Sequence, residues 1–234
     1  MSAPRLPILE KTLRARQRMI HRYIDTHKVM YQEFARFITP DEHNYHAVWD
    51  RVAFAILSAN APFEASVKAL HYARAHGTHS RYVGGFDQFA GMVPAKLDYI
   101  QAIPNDDSLI RGQAEDGTTE SWLAYRVRLA KKIKGLGWTK ASFAASLIYP
   151  LESDLACIDT HVQKVYLGHS KWQRISQETY LLVEARVRKI AHTYGINTFL
   201  AQWMIWDCAR GQGPNNHAIF PGSHKTESEL WREW

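Results

Sequence analysis

Apolar residues recur at helical spacing through most of the chain, and the intervals between them read as turns. Leu9 to Ile38 reads as one long helix whose buried stripe is Leu13, Ile20, Ile24, Met30, Phe34 and Phe37. Thr39-Pro40 ends it, because proline disfavours helix in the residue before it. Tyr45 to Asn60 is the second helix, and Pro62 occupies the first turn of a third that runs to about Ala75. His76 to Asp107 is interrupted by Gly77, Gly84, Gly85, Gly91, Pro94 and Pro104, which predicts short helices and turns; Arg81-Tyr82-Val83 hints at a strand but is too short to decide. The acidic stretch Asp106 to Gly117 reads as a solvated connection, with Thr118 or Thr119 capping the helix that follows.

A basic amphipathic run, Ser121 to Ile133, stops at Gly135-Leu136-Gly137, and a small-residue helix, Thr139 to Ile148, starts at once. That is a helix, a tight hairpin and a helix. Beyond it, Thr160 to Leu167 and Gln177 to Tyr194 read as helices, the second with Leu181, Val183, Val187 and Ile190 on its core side and Gly195 as its C-cap. Thr198 to Arg210 is the last strong helix, dense with Phe199, Trp203, Met204 and Trp206. Gly211 to Trp234 is turn-rich and polar, and its Leu230, Trp231 and Trp234 give the tail apolar groups with which to dock. The fold class expected is all-α.

Composition adds a partner class. The 234 residues, 46% hydrophobic, suffice for one domain or two small ones, and 8 Trp argue against disorder. Net charge is 29 − 23 = +6, so a polyanionic partner such as nucleic acid is expected. Lys11, Arg14, Arg16, Arg18, Arg22 and Lys28 line the first helix, either as a solvated face or as a second contact to that polyanion. No apolar run reaches membrane-spanning length and Met1 to Arg5 lacks a signal-peptide core, so a soluble, cytoplasmic protein is expected, with Cys157 and Cys208 as free thiols. Two cysteines cannot supply the four ligands of an iron-sulfur cluster, and His43 and His46 lack further ligands. Neither a metal nor a cofactor is therefore expected.

The hairpin carries the first chemistry. Glycines one residue apart allow positive φ and close approach, and the amides that follow have no intrahelical acceptor, so they favour an anion. Arg126, Arg128, Lys131, Lys132, Lys134 and Lys140 surround the turn, and a DNA phosphate is the anion they would attract.

Gly135-Leu136-Gly137, Ala141-Ser142-Phe143 and Ala156-Cys157-Ile158-Asp159-Thr160-His161-Val162 together resemble the helix-hairpin-helix DNA glycosylase superfamily, the endonuclease III and 8-oxoguanine glycosylase group, from about Ala53 to about Gly211. The resemblance implies two helical lobes, residues 46–152 ending in the hairpin and residues 1–45 with 153–234; the iron-sulfur cluster that many relatives carry is not expected here, with only two cysteines. It implies that Lys134, Gly135, Gly137, Lys140 and Arg128 hold the DNA backbone of a monomeric protein. A flipped base would enter a pocket lined by Trp138, His161 and Asp207. Asn60 stands where the family places a polar side chain, commonly Gln, to fill the hole the base leaves; its plainer role is a polar cap before Pro62. Asp159 is the carboxylate expected to stabilise an oxocarbenium-like sugar, and it also reads as the N-cap of the next helix.

Bifunctional members of the group use a lysine two residues after the second hairpin glycine. Thr139 holds that place here and lines the pocket, while Lys140, about 100° further round the helix, is expected to meet a phosphate. A monofunctional N-glycosylase is therefore the first reading. The alternative, from the related phage amino acid:DNA transferases, has an amine displace pyrophosphate from a modified 5-hydroxymethyluracil, with an amino acid as co-substrate. A non-catalytic helix-hairpin-helix DNA-binding module is the third, and it would not need Asp159.

Overall fold

A computed structural model describes residues 7–40, 43–76, 94–112, 118–169 and 171–211. The readings of Arg81-Tyr82-Val83, of the acidic residues Glu115 and Asp116, and of the tail beyond Gly211 fall outside the described residues. Nine α-helices appear among them: α1 (Pro7–Ile38), α2 (Tyr45–Leu57), α3 (Phe63–His76), α4 (Pro94–Gln101), α5 (Trp122–Lys132), α6 (Trp138–Ile148), α7 (Thr160–Tyr166), α8 (Gln177–Tyr194) and α9 (Thr198–Arg210). A 3-10 turn, Asp107–Leu109, precedes α5. The protein is all-α, and no helix among the described residues is long and apolar enough to cross a membrane.

Local sequence sets most of the helix ends. Asn44, Ser121, Ser176 and Asn197 each accept a backbone N–H of the first turn through the side chain, which satisfies a donor the helix leaves open. The cap of α5 is thus Ser121 and not Thr118 or Thr119, since a cap must stand immediately before the first helical residue. Gly195 ends α8 with a left-handed φ of 62°, as its position suggested. Helix α2 stops at Leu57, three residues early: Ser58 to Asn60 turn instead, and Asn60 takes φ 54°, a conformation asparagine tolerates better than most residues.

Packing corrects two of the predicted stripes. The buried side of α1 is Ile20, Ile24, Tyr31, Phe34, Ala35 and Ile38, whereas Phe37 is exposed. On α8 the buried positions are Tyr180, Val183, Glu184, Val187, Ile190 and Ala191, and Leu181 is exposed. In both helices the predicted residue that faces solvent lies one position from the buried seam, and Tyr31 on α1 and Tyr180 with Glu184 on α8 are buried instead.

Helix α6 lies between α2 and α5, while α9 contacts α1, α7 and α8. A chain of rings joins the two groups: Phe54 of α2 lies 6.1 Å from Phe143 of α6, which lies 6.4 Å from Trp203 of α9, and Trp203 meets Phe34 of α1 at 5.4 Å. One hydrophobic core therefore runs through the described residues. Buried Arg51 fastens its far end, donating from Nε to the Leu147 carbonyl (3.1 Å) and from Nη2 to that of Ile38 (2.9 Å). Carbonyls at helix C-termini suit a cation, even though burial pulls the Arg51 pKa down to about 10.

Candidate active site

The hairpin is built around one glycine more than the other. Gly135 has φ 92°, and a Cβ there would lie 2.3 Å from the Tyr99 ring of α4, so both backbone and packing require glycine. Lys134 extends over the same ring at 5.6 Å. Gly137 takes an ordinary extended φ of −83°, and a Cβ on it would meet nothing within 4 Å. It is the N-cap of α6 and makes no side-chain cap bond, so among the described residues no side chain accepts from the first amides of α6. Open amides at a helix start favour an anion.

Three of the cations around the turn face inward. Arg126 is wholly buried and pairs with Glu184 of α8 at 2.7 Å, its guanidinium stacked 4.3 Å from the Trp138 ring and 5.1 Å from that of Tyr180. Arg128 forms an ion pair with Glu120 (2.6 Å), donates to the Ile110 carbonyl (2.9 Å) and bonds the Ser108 carbonyl. Its fork is occupied by protein acceptors rather than directed at a phosphate. Lys140, expected on the outside, donates to the Ser58 hydroxyl (2.9 Å) in the turn after α2 and lies within electrostatic reach of Asp159 and Cys157. Burial lowers its pKa, opposed by those two acidic groups. Lys96 approaches the same turn and donates to the carbonyls of Leu57 (2.9 Å) and Ala59 (2.6 Å); burial, then the Lys140 ammonium, lowers it to about 8. Two amines thus flank the residues that lead into exposed Asn60.

Asp159 stands at the head of α7. Its Oδ1 accepts from the N–H groups of His161 and Val162, both at 3.0 Å, and Oδ2 has no hydrogen-bond partner among the described residues. The cap holds the carboxylate in one orientation with one oxygen left over. Burial raises its pKa, against the opposing pull of the Val162 amide, His161, Lys140 and the His161 amide. His161 is half-buried, with its pKa lowered chiefly by burial, and its ring meets that of Trp206 edge-on at 5.8 Å. Neighbouring Cys157 is a buried free thiol pushed up to about 12 by burial and by Asp159.

The segment before Asp159 is held by residues that sequence reasoning passed over. Glu184 Oε1 accepts from the Ala156 N–H (2.9 Å) as well as from Arg126. The Tyr180 hydroxyl donates to the Ala156 carbonyl (2.7 Å) and accepts from the Ile158 N–H (3.3 Å). The extended backbone of residues 156–158 therefore hangs on one face of α8. The signal was present: Glu184 falls on the apolar side of its helix, and a carboxylate there requires a buried partner.

Two further candidates are held by partners within the fold. Trp138 packs between Arg126 and Tyr180, edge-on to the latter at 5.7 Å, beneath the hairpin. Asp207 is fully buried and accepts a hydrogen bond from Tyr31 of α1, which is itself linked to Tyr23 at 2.8 Å. Thr139 is half-buried in the first turn of α6. No group of three or more His, Cys, Asp or Glu able to hold a metal occurs among the described residues, and His43 instead meets the Ile148 carbonyl (2.9 Å) and stacks on Tyr149 at 4.4 Å.

No family model matches the chain. An 8-oxoguanine DNA glycosylase/AP lyase of Thermotoga sp. (strain RQ2) is 33% identical over 88 residues, covering 36% of this chain and 42% of that protein, less than half its length. Among solved structures, the 8-oxoguanine DNA glycosylase of Thermotoga maritima superposes with a TM-score of 0.63 at 20% identity over 87% of this chain and 98% of that one. The Methanocaldococcus jannaschii 8-oxoguanine glycosylase/lyase, solved with a 15mer DNA containing 8-oxoguanine, gives 0.64 at 19% identity over 83% and 98%. The chain has the helix-hairpin-helix fold of these DNA glycosylases.

Proposed function

We propose that this protein is a DNA N-glycosylase that grips one phosphate at the hairpin, draws a modified base from the helix between lobes 46–152 and 1–45 with 153–234, and cleaves its glycosidic bond with the help of Asp159. The observation that carries the reading is the fixed Asp159 carboxylate, capped through Oδ1 and free at Oδ2, beside a hairpin whose α6 amides no side chain caps. As the bond between C1′ and the base nitrogen lengthens, positive charge grows on the sugar, and a carboxylate in a dry site stabilises it. Water then adds its oxygen to C1′, and the base leaves with a proton. Lys134, Gly135 and Gly137 hold the backbone, and Asn60, exposed on its left-handed turn, fills the gap in the duplex.

The inward amine of Lys140 favours a second reading, in which the same protein also cuts the strand. An amine whose pKa is lowered by burial is a nucleophile. Its nitrogen would bond to C1′ as the base leaves, and the opened sugar would become a Schiff base that borohydride reduces to a stable adduct.

The test is mass spectrometry of bases and nucleosides after incubation with DNAs carrying oxidised, alkylated or deaminated bases. 8-Oxoguanine comes first, because it is the base named for the proteins of like fold. A free base and an abasic site, both abolished in Asp159→Asn, is the expected result. Borohydride trapping lost in Lys140→Met would establish the second reading. An intact nucleoside heavier by an amino acid, with pyrophosphate released from a pyrophosphorylated 5-hydroxymethyluracil, would replace both with a transferase.

A further inference from the structure

One large aromatic group lies outside everything described so far. Trp172, in the loop between α7 and α8, is 59% exposed, close to Val29 and Leu182 at 61%, the most exposed large apolar side chains among the described residues. The loop is nonetheless held in place. Gln163 of α7, only 1% exposed, donates from Nε2 to the Gln173 carbonyl (3.1 Å) and accepts at Oε1 from the Gln173 N–H (3.2 Å), with His169 Nδ1 3.1 Å from the same oxygen. Ile175, two residues beyond Gln173, packs against the core. A buried amide and an apolar anchor therefore fix the backbone that follows an indole that itself faces water. Ordering before contact lowers the entropy cost of binding through that ring.

The contacts of α8 locate the loop. Tyr180, in its first turn, meets Trp138, the first residue of α6, whereas Arg188 two turns later pairs with Asp154, beyond the end of α6. The two helices consequently have their N-termini at the same end of the molecule, which is the hairpin end. Ser176 caps α8 about 6 Å along the axis from Tyr180, and Trp172 is at most about 14 Å of chain further on. Exposed Lys171 and Arg174 stand one residue before and two after Trp172 in the chain, and neither has an ion-pair partner among the described residues; Glu178 is the one carboxylate in the first turn of α8. An aromatic face between two cations is the arrangement that stacks on a base while its neighbours meet phosphates.

We infer that the α7–α8 loop is a second DNA contact, in which Trp172 stacks on an unpaired or distorted base a few nucleotides from the phosphate held at the hairpin, and Lys171 and Arg174 meet the backbone on either side. The inference rests on the reading of the protein as DNA-binding and adds a surface to it.

Fluorescence anisotropy with a short labelled duplex carrying a tetrahydrofuran abasic analogue tests it. Trp172→Ala should weaken binding at least about fivefold, with Trp172→Phe retaining most of the affinity. Lys171→Ala with Arg174→Ala should lower the salt slope by about two. Wild-type affinity in Trp172→Ala overturns the inference and leaves the proposed function standing. Dimerisation of the wild type that Trp172→Ala abolishes, seen by light scattering with DNA affinity unchanged, also overturns it, since the surface then receives a second copy. Failure of the wild-type protein to bind any DNA removes the proposed function as well.

Discussion

Replacing Glu184 by alanine should be among the most damaging single changes in this protein. It leaves the Arg126 guanidinium, 0% exposed, without its counter-charge, and it strips the Ala156 N–H of its acceptor. Removing one member of a buried ion pair costs about 3–5 kcal/mol, and an orphaned buried amide about 1–3 kcal/mol. The two losses share one carboxylate and do not simply add, so about 4–5 kcal/mol is expected. With an unfolding entropy of about 2.1 cal/mol/K per residue, a chain this long loses about 8–10 °C in Tm. Two companions separate charge from shape. Glu184→Gln keeps an acceptor for both partners and should cost less than half as much. Arg126→Met with Glu184→Leu removes both charges and should recover the part of the loss that comes from the unpaired guanidinium, because apolar groups of similar volume replace a buried pair at little cost, while the Ala156 N–H stays without its acceptor. Calorimetry and urea titration measure all three. Alanine at wild-type stability, or a double variant no better than the single one, would refute the assignment of this pair as a buried anchor. In folded Glu184→Gln, a single-turnover rate reduced with substrate binding intact would show that the anchor positions Asp159 through residues 156–158.

Asp159→Asn should abolish base release while stabilising the fold, because asparagine caps a helix as well as aspartate does and removes a carboxylate whose pKa burial has raised. The folded state bears that cost only when the group is ionised, so the gain should be absent below the ordinary aspartate pKa, open as pH rises, and be complete above the raised one; melts across that range check it. Gly135→Ala forces a left-handed alanine into the Tyr99 ring and should cost about 2–3 kcal/mol, whereas Gly137→Ala should cost under about 1 kcal/mol and act mainly on DNA affinity, by filling the space before the α6 amides. Equal stability losses in the two variants would refute this asymmetry. Lys140→Met should stabilise the protein most at pH values below the lowered lysine pKa, with the gain fading as pH approaches the ordinary lysine value, and denaturant titrations at several pH values read the difference.

The sequence by itself determined the helices, their caps and the hairpin, since each depends on residues a few positions apart. The Gly135 turn, the capping serines and asparagines and the left-handed Gly195 are all of this kind. So is the capping role of Asp159, whose bonds span only two and three residues. Which way the charged side chains point was decided only by the tertiary structure. Arg126 meets a carboxylate 58 residues away, Lys140 a hydroxyl 82 residues away, and Asp207 a tyrosine 176 residues away. Read locally, a lysine or arginine beside a glycine turn is a surface cation, because water is the partner always at hand. Folding supplied Glu184 and Ser58 as partners in place of that water, and turned inward two side chains that the sequence had offered to a phosphate.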